Sequence, residues 1–271
     1  MLALLVRFAL GATVVGLALW ISDNVDARVG GVVSAVPKTS AVSLFVIAYE
    51  HGGAFAAETA VSSLFGIAAV IVYATALALL LARGPDHPWG ALAGGLAVYA
   101  AIVGPYLWAG AGLALGLNLG LVGLAYAFSV LAVRRARAAQ PGLSSRSPGV
   151  AGGAVLRYGV PALVGGLLVL AATLAADLLG PVWGGIASVF PANVTTIVVG
   201  GALVLDPQDA FDQAASVPDG VAAAGAFLLG LHLSLPHLPL VAAGLLAYLA
   251  WGGVAWALST ARAARPVPDP V

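Results

Sequence analysis

The segment G30-G-V-V-S-A-V-P-K-T-S40 recurs in the second half of the chain as G184-G-I-A-S-V-F-P-A-N-V194. Both copies hold a glycine pair, a serine and a proline at the same spacing. Proline inside a helix removes one backbone hydrogen bond and clashes with the carbonyl four residues earlier. Each copy therefore predicts an apolar helix that is interrupted at the same point, and a repeat of this kind decides the architecture of a chain.

The similarity extends upstream of the glycine pairs. Residues R7-F-A-L-G-A-T-V-V-G-L17 align with R157-Y-G-V-P-A-L-V-G-G-L167, and Asp23 aligns with Asp177. Each half thus gives the same order of helix, acidic loop, glycine pair and mid-helix proline. The order and spacing indicate a duplication.

The composition shows which solvent surrounds the chain. Of the 271 residues, 61% are hydrophobic and 8% are charged, and the mean hydropathy is +1.04. A soluble domain carries about 25% charged residues, so most of this surface must face hydrocarbon. The net charge of zero gives no basic surface for nucleic acid. The absence of cysteine excludes disulfides, thiolate metal ligands and thiol catalysis.

Apolar stretches long enough to cross a bilayer, which takes about 20 residues, occur nine times. They are 2–21, 29–49, 59–82, 89–108, 111–133, 156–176, 181–205, 218–235 and 238–259. The sequence therefore predicts an all-α, polytopic membrane protein with about nine transmembrane helices.

Arginines predict the orientation, because positive residues collect on the cytoplasmic side. They follow the fifth and ninth spans at Arg134, Arg135, Arg137, Arg146, Arg262 and Arg265. With nine spans, both clusters lie in the cytoplasm if the N-terminus is outside. We therefore predict a multi-pass protein of the plasma (cell inner) membrane with an external N-terminus and a cytoplasmic C-terminus. Arg7 then lies toward the outside, close enough to the interface to snorkel.

One predicted span separates the two copies, so the second copy enters the membrane from the opposite side and has the inverted orientation. We predict a first four-helix repeat at 1–108, a linker helix with a basic cytoplasmic loop at 109–155, and a second, inverted four-helix repeat at 156–271. Inverted repeats are a recurring architecture of secondary transporters. Along the linker span, small residues recur at Gly112, Gly116 and Gly120, and this ridge either seats the linker against one half or mediates a homodimer.

The first half resembles a known group of small four-helix membrane proteins, the GlpM-like family. The resemblance is carried by A9-L-G-A-T-V-V-G16, by G30-G-V-V-S-A-V-P37 and by F45-V-I-A-Y-E-H-G52. It covers roughly 7–108, and a weaker copy covers 157–260. The resemblance implies a fused, duplicated form of a GlpM-like chain, and it implies nothing about a solute.

Lys38 is the single lysine of the chain and directly follows Pro37 inside the second predicted span. An ammonium near the centre of a bilayer costs about 2.5–3.5 kcal/mol on insertion scales. Backbone groups freed at a proline break also need a polar cavity or a ligand, since lipid cannot satisfy them. These costs point to a functional site.

We predict that the two interrupted helices form one solute site. Its residues are Pro37, Lys38, Thr39, Ser40 and Ser43 in the first half and Pro191, Asn193, Thr195 and Thr196 in the second. Positive helix ends and one ammonium favour an anion. The competing interpretation is a simple kink whose hydroxyls bond their own backbone, with Lys38 reaching the interface.

Other polar residues give weaker signals. Glu50, His51 and Glu58 border an outer loop, where they either gate or relay protons or are simply solvated. His232 and His237 flank Pro236, which is poor spacing for two metal ligands on one helix face. Four carboxylates predict a solvated acidic loop at Asp206, Asp209, Asp212 and Asp219. Asn118 is expected to hydrogen-bond across helices.

The leading expectation is a secondary transporter for a small anionic or zwitterionic solute, with alternating access around the interrupted helices. The alternatives are a narrow ion channel and a non-transporting accessory protein of envelope or lipid metabolism. We find no metal cluster, no Ser/His pair at usable spacing and no phosphate loop in the sequence, so we expect neither an enzyme nor a cofactor. The expected partners are a small solute or ion and the lipid bilayer.

Overall fold

A computed structural model describes residues 2–24, 36–83, 88–109, 113–139, 158–191 and 207–263. These residues form nine α-helices and no strand. The helices are α1 (Leu2–Asn24), α2 (Lys38–His51), α3 (Gly53–Arg83), α4 (Pro88–Ala109), α5 (Leu115–Ala139), α6 (Val160–Leu179), α7 (Pro181–Ser188), α8 (Pro207–Ser234) and α9 (Leu240–Ala263). The predicted all-α class is confirmed for the described residues.

Six of these helices, α1, α3, α4, α5, α6 and α9, are long and apolar enough to cross a membrane. This result indicates a multi-pass membrane protein. Helices α2 and α7 are shorter, with 14 and 8 residues. In α8, only the segment Gly220–Ser234 is a continuous apolar stretch. The predicted split of 89–133 into two helices is confirmed by α4 and α5.

Two predicted spans differ from the observed helices at the proline positions. Helix α2 begins at Lys38, and residues 29–35 of the predicted span lie outside the described residues. Helix α7 ends at Ser188, and residues 192–205 of its predicted span also lie outside them.

The prediction of an acidic loop at 206–219 is wrong from residue 207 onward, because α8 already begins at Pro207. Proline suits the first position of a helix, where its missing N–H has no partner to lose. The alanines that follow are the best helix formers. The helix also continues through Pro218.

Helix α3 is the centre of the fold. It packs against α2, α4, α5, α7 and most extensively α8, and 78% of its membrane-crossing window is buried. Its 31 residues span about 46 Å at 1.5 Å per residue. A helix longer than the roughly 30 Å hydrocarbon layer tilts to fit. The alanine- and serine-rich surface of α3 lets several helices approach it closely.

Helices α1 and α6 pack antiparallel. The backbone of Gly11 lies against Val169, and Gly165 lies against Val15. A Cβ added at Gly165 would come within 2.5 Å of the Cγ2 atom of Val15. Glycine is therefore required here for the two helices to touch, as in other small-residue membrane interfaces.

Helices α3 and α8 also run antiparallel. Gly53 at the start of α3 contacts the carbonyl of Leu235, just after α8. Four residues into α3, the carbonyl of Ala57 accepts a hydrogen bond from His232 Nδ1 at 2.9 Å. These two contacts fix the register at one end of the pair.

The glycine ridge of α5 does not seat this helix against the rest of the chain. A Cβ at Gly116, Gly120 or Gly123 would meet no atom within 4 Å among the described residues. Helix α5 packs on α3 through its opposite face, where Asn118 and Ser129 are buried. Gly112 lies outside the described residues, and the homodimer stays a prediction.

Substituting Gly165 by Val should destabilise the protein by about 1–3 kcal/mol, the usual cost of overpacking a close contact. The added atoms would push α1 away from α6. Thermal unfolding in detergent, followed by tryptophan fluorescence, measures the change. The matched control is Gly123→Val on the open face of α5, and equal melting temperatures for the two variants would contradict the observed packing.

Candidate functional site

The start of α2 and the end of α7 meet beside α3. Helix α2 begins at Lys38, directly after Pro37, and α7 ends at Ser188, three residues before Pro191. The hydroxyl of Ser40, in the first turn of α2, donates a hydrogen bond to the carbonyl oxygen of Ser188 at 3.1 Å. The structure thus brings the first turn of α2 and the last turn of α7 together across 148 residues of sequence.

Local chemistry accompanies both helix ends. Pro37 is the N-cap residue of α2 and makes no side-chain capping bond, so the Lys38 N–H donates instead to the Val36 carbonyl at 2.8 Å. At α7, the last turn closes with a bond from the Phe190 N–H to the Ala187 carbonyl at 3.2 Å. The final carbonyls of α7 then need donors from other elements.

Three buried serines surround this end of α7: Ser40 of α2, Ser63 of α3 and Ser188 of α7 itself. We call them the hydroxyl cluster. Ser63 Oγ lies 3.1 Å from the carbonyl oxygen of Gly185 and 3.1 Å from Ser188 Oγ. Ser188 Oγ also donates to the Gly185 carbonyl at 2.8 Å. Exposure is only 7%, 0% and 1% for the three residues, so protein groups must replace water as partners.

Gly185 allows α7 to approach α3 closely enough for these bonds. A Cβ at Gly185 would collide with the Thr59 carbonyl oxygen and lie 2.8 Å from the Cβ of Ser62. The backbone of α7 therefore rests directly on that of α3. The recurring Gly-Gly-x-x-Ser pattern serves this contact in the second half of the chain.

Ser43 is a further polar group on the same face of α2. It lies three residues after Ser40, which places both on one side of the helix. It is fully buried, and its Oγ has no hydrogen-bond partner among the described residues. A buried hydroxyl in this state is unusual in native proteins and needs an explanation, such as a ligand.

The remaining predicted site residues divide into two groups. Pro37 and Pro191 are buried, and Lys38 and Thr39 are half-buried at the start of α2. Asn193, Thr195 and Thr196 lie outside the described residues. Only part of the predicted site can therefore be placed.

A cavity of about 370 Å³ opens between α3, the C-terminal end of α8 and the residues just before α5. Its polar lining comes from Glu58, Ser62 and His232, and the remaining walls are mostly apolar. Since His232 Nδ1 lies 2.9 Å from the carbonyl of Ala57, which only accepts, this nitrogen carries a proton. Ser62 adjoins Ser63 in sequence, so the cavity reaches α3 one residue away from the cluster.

Four ionisable side chains form a second polar group, the Arg7 network: Arg7, Glu50, His51 and Asp177. Arg7 Nε and Nη2 donate to the two oxygens of Glu50 at 3.1 and 2.6 Å. Its Nη1 donates to Asp177 Oδ2 at 2.6 Å. His51 Nε2 lies 2.7 Å from Asp177 Oδ1. The network joins α1, α2 and α6.

All four carboxylate oxygens of the Arg7 network already accept a bond from Arg7 or His51. Ligand atoms of Glu50, His51 and Asp177 lie within 4.8 Å of one another, a spacing that a metal could use. However, the guanidinium already supplies the positive charge between these carboxylates, so the arrangement favours an ion-pair network over a metal centre.

Sequence reasoning did not find the Arg7 network. It treated Arg7 as a snorkelling residue and Glu50 as a weak gate, and it placed Asp177 only in the repeat alignment. Arg7 and Asp177 are 170 residues apart, and no local pattern pairs them. One feature of the sequence could have indicated the network: the predicted topology places Arg7, Glu50 and Asp177 near the same edge of the membrane.

Asn118 hydrogen-bonds across helices as predicted. Its Nδ2 donates to the carbonyl of Val61 on α3 at 3.3 Å and to that of Leu113 at 3.1 Å. Glu58, the other weak candidate, is exposed and lines the cavity described above rather than joining the Arg7 network.

No protein-family profile, curated protein or solved structure matches this chain. The resemblance to GlpM-like proteins stays a prediction. The case for function rests on the geometry of the hydroxyl cluster and the Arg7 network.

Replacing Arg7 by Met should destabilise the protein by about 1.5–3 kcal/mol, because hydrogen bonds to charged groups contribute this much and two carboxylates would face each other. The readout is the midpoint of thermal unfolding in detergent. Arg83→Met, which removes an exposed arginine at the end of α3, is the matched control. A loss no larger than that of the control would mean that the network adds nothing to stability.

Proposed function

We propose that this chain is a secondary membrane transporter for a small anionic or zwitterionic solute. The observation that carries the proposal is the meeting of two helix ends, at Lys38 of α2 and Ser188 of α7, beside buried hydroxyl groups. A membrane interior cannot satisfy free backbone groups, so such ends lie where they line a site. Transporters commonly bind their solute at interrupted helices of this kind.

The depth of the helix ends supports a site near the bilayer midplane. Lys38 lies about 18 Å along α2 from Glu50, at 1.5 Å per residue. Ser188 lies about 12 Å along α7 from Gly180 on the same scale. If the Arg7 network marks one edge of a hydrocarbon layer about 30 Å thick, both ends lie close to its centre.

The inverted repeat is part of the proposal, and the helix packing supports it. In the sequence alignment Val15 corresponds to Gly165, and these two residues touch each other in the antiparallel pair α1 and α6. A twofold axis in the membrane plane exchanges the two copies. Equivalent residues that lie close to this axis therefore face each other. Helices α3 and α8 are also antiparallel, as equivalent helices of two inverted copies are expected to be.

The charges of the two helix ends suggest the solute class. The N-terminal end of α2 carries partial positive charge and bears Lys38, which suits a carboxylate or phosphate. The C-terminal end of α7 carries partial negative charge, which suits an ammonium group. Ser43 offers its hydroxyl on the same face of α2. We propose that Asn193, Thr195 and Thr196 complete the site.

Alternating access follows from this arrangement. With the N-terminus outside, the cavity lined by Glu58, Ser62 and His232 opens toward the outer surface. The antiparallel interfaces α1–α6 and α3–α8 let one half rock against the other around the site. The membrane is the plasma membrane in this proposal.

The test is counterflow in proteoliposomes with labelled phosphate, lactate and glycine as probes. We expect at least one probe to show saturable uptake that internal unlabelled probe accelerates. Lys38→Ala should reduce this uptake about tenfold or more, which corresponds to the loss of about 1.4 kcal/mol of binding. Arg83→Ala removes an exposed cation far along α3 and is the matched control.

The outcomes separate the alternatives. Flux equal to that of protein-free liposomes for every probe would reject transport and favour an accessory protein. Flux that does not saturate and far exceeds carrier turnover would favour a narrow ion channel. Full activity of Lys38→Ala would reject the role of this residue alone.

A further inference from the structure

The net charge of the Arg7 network depends on whether His51 carries one or two hydrogens. Glu50 and Asp177 contribute two negative charges, and Arg7 contributes one positive charge. With His51 neutral, the network keeps one net negative charge at the edge of a low-dielectric region. A proton on His51 would remove this charge.

The geometry shows where that proton would bind. Asp177 Oδ1 lies 2.7 Å from His51 Nε2, and an ionised carboxylate only accepts, so Nε2 carries the hydrogen in the neutral ring. The further proton therefore goes to Nδ1. The His51 side chain is 30% exposed, so water can deliver it. The ring also stacks on Phe55 at a centroid distance of 4.6 Å, and aromatic faces attract cations.

The surroundings of His51 contain no competing cation except Arg7 among the described residues. Helix α1 contributes Arg7, α2 contributes Glu50 and the exposed Tyr49, and α6 contributes Asp177. Helix α3 contributes Phe55. The nearest ionisable residue on α3, Glu58, faces the cavity with His232.

We propose that the Arg7 network is a proton-binding site, and that proton uptake on His51 tightens the contact between α2 and α6. The bond from His51 to Asp177 becomes charge-assisted and thus stronger. The arrangement with α2 against α6 then binds the proton more tightly than an arrangement in which they separate. By linkage, binding of this proton favours the joined arrangement, and its loss releases α2 from α6.

This inference does not require transport. One consequence does rest on the proposed function: if the chain is a transporter, the network closes the outer side, and the coupling ion is a proton. Acid outside would then slow exchange from that side.

The first test measures the separation of α2 and α6 by pulsed electron paramagnetic resonance in lipid nanodiscs. The chain has no cysteine, so Tyr49→Cys and Leu178→Cys give two unique labelling sites, and these residues are 85% and 77% exposed. From about pH 8 to about pH 5.5, the ratio of short to long distances should rise about two- to fivefold, the range that a part-exposed ion pair supports.

Matched histidine variants of the labelled protein identify the proton acceptor. His51→Gln should abolish the pH response. His237→Gln removes an exposed histidine in the turn before α9 and should leave the response unchanged. An unchanged distance distribution across this pH range, or a full response in His51→Gln, would overturn the proposal.

The second test observes the proton directly and needs no variant of His51. The chain has four histidines, and nitrogen-15 spectra distinguish their tautomers. We expect His51 to carry its hydrogen on Nε2 at high pH and to gain one on Nδ1 as the pH falls. Asp177→Asn should move this titration to lower pH. A neutral His51 throughout, or a titration indifferent to Asp177→Asn, would refute the site whether or not any probe is transported.

Discussion

A helix that ends inside a membrane leaves backbone groups that neither lipid nor water can satisfy. In this chain the carbonyls of Gly185 and Ser188 lie at the buried end of α7, where the helix backbone no longer supplies their donors. Ser40 and Ser63 supply donors from two other helices, α2 and α3. The contact is possible only because Gly185 has no side chain to keep α7 away from α3. The arrangement of α2, α3 and α7 depends on this exchange of hydrogen bonds.

Helix α3 can serve as the common partner because small and polar residues cover it. Thr59 Oγ1 donates to the carbonyl of Phe55, four residues earlier in its own helix, so its hydroxyl is not left unpaired in the interior. Asn118 and Ser129 of α5 bond Val61 and Thr75 on another face of α3. Close backbone approach and internal hydrogen bonds replace the hydrophobic effect, which drives little association between helices in lipid.

Helix α2 connects the two polar groups of the molecule. Its first turn holds Ser40 in the hydroxyl cluster, and its last turn holds Glu50 and His51 in the Arg7 network. Ten residues separate Ser40 from Glu50, which is about 15 Å of rigid helix. The hydroxyl cluster and the Arg7 network are therefore held at a fixed separation by one continuous helix. This link places a titratable group in mechanical contact with the proposed solute site.

The sequence by itself determined the solvent and the helical class, because composition alone required hydrocarbon around the chain. Proline did not by itself decide where helices end: α2 begins after Pro37 and α7 ends before Pro191, but α8 continues through Pro218. Pattern reasoning failed at 206–219, where the acidic residues suggested a loop but α8 begins at Pro207. The partners of buried polar groups were decided only by the tertiary structure. Arg7 meets Asp177, and Ser40 meets Ser188, across more than a hundred residues, since such pairing depends on how whole helices pack rather than on neighbouring letters.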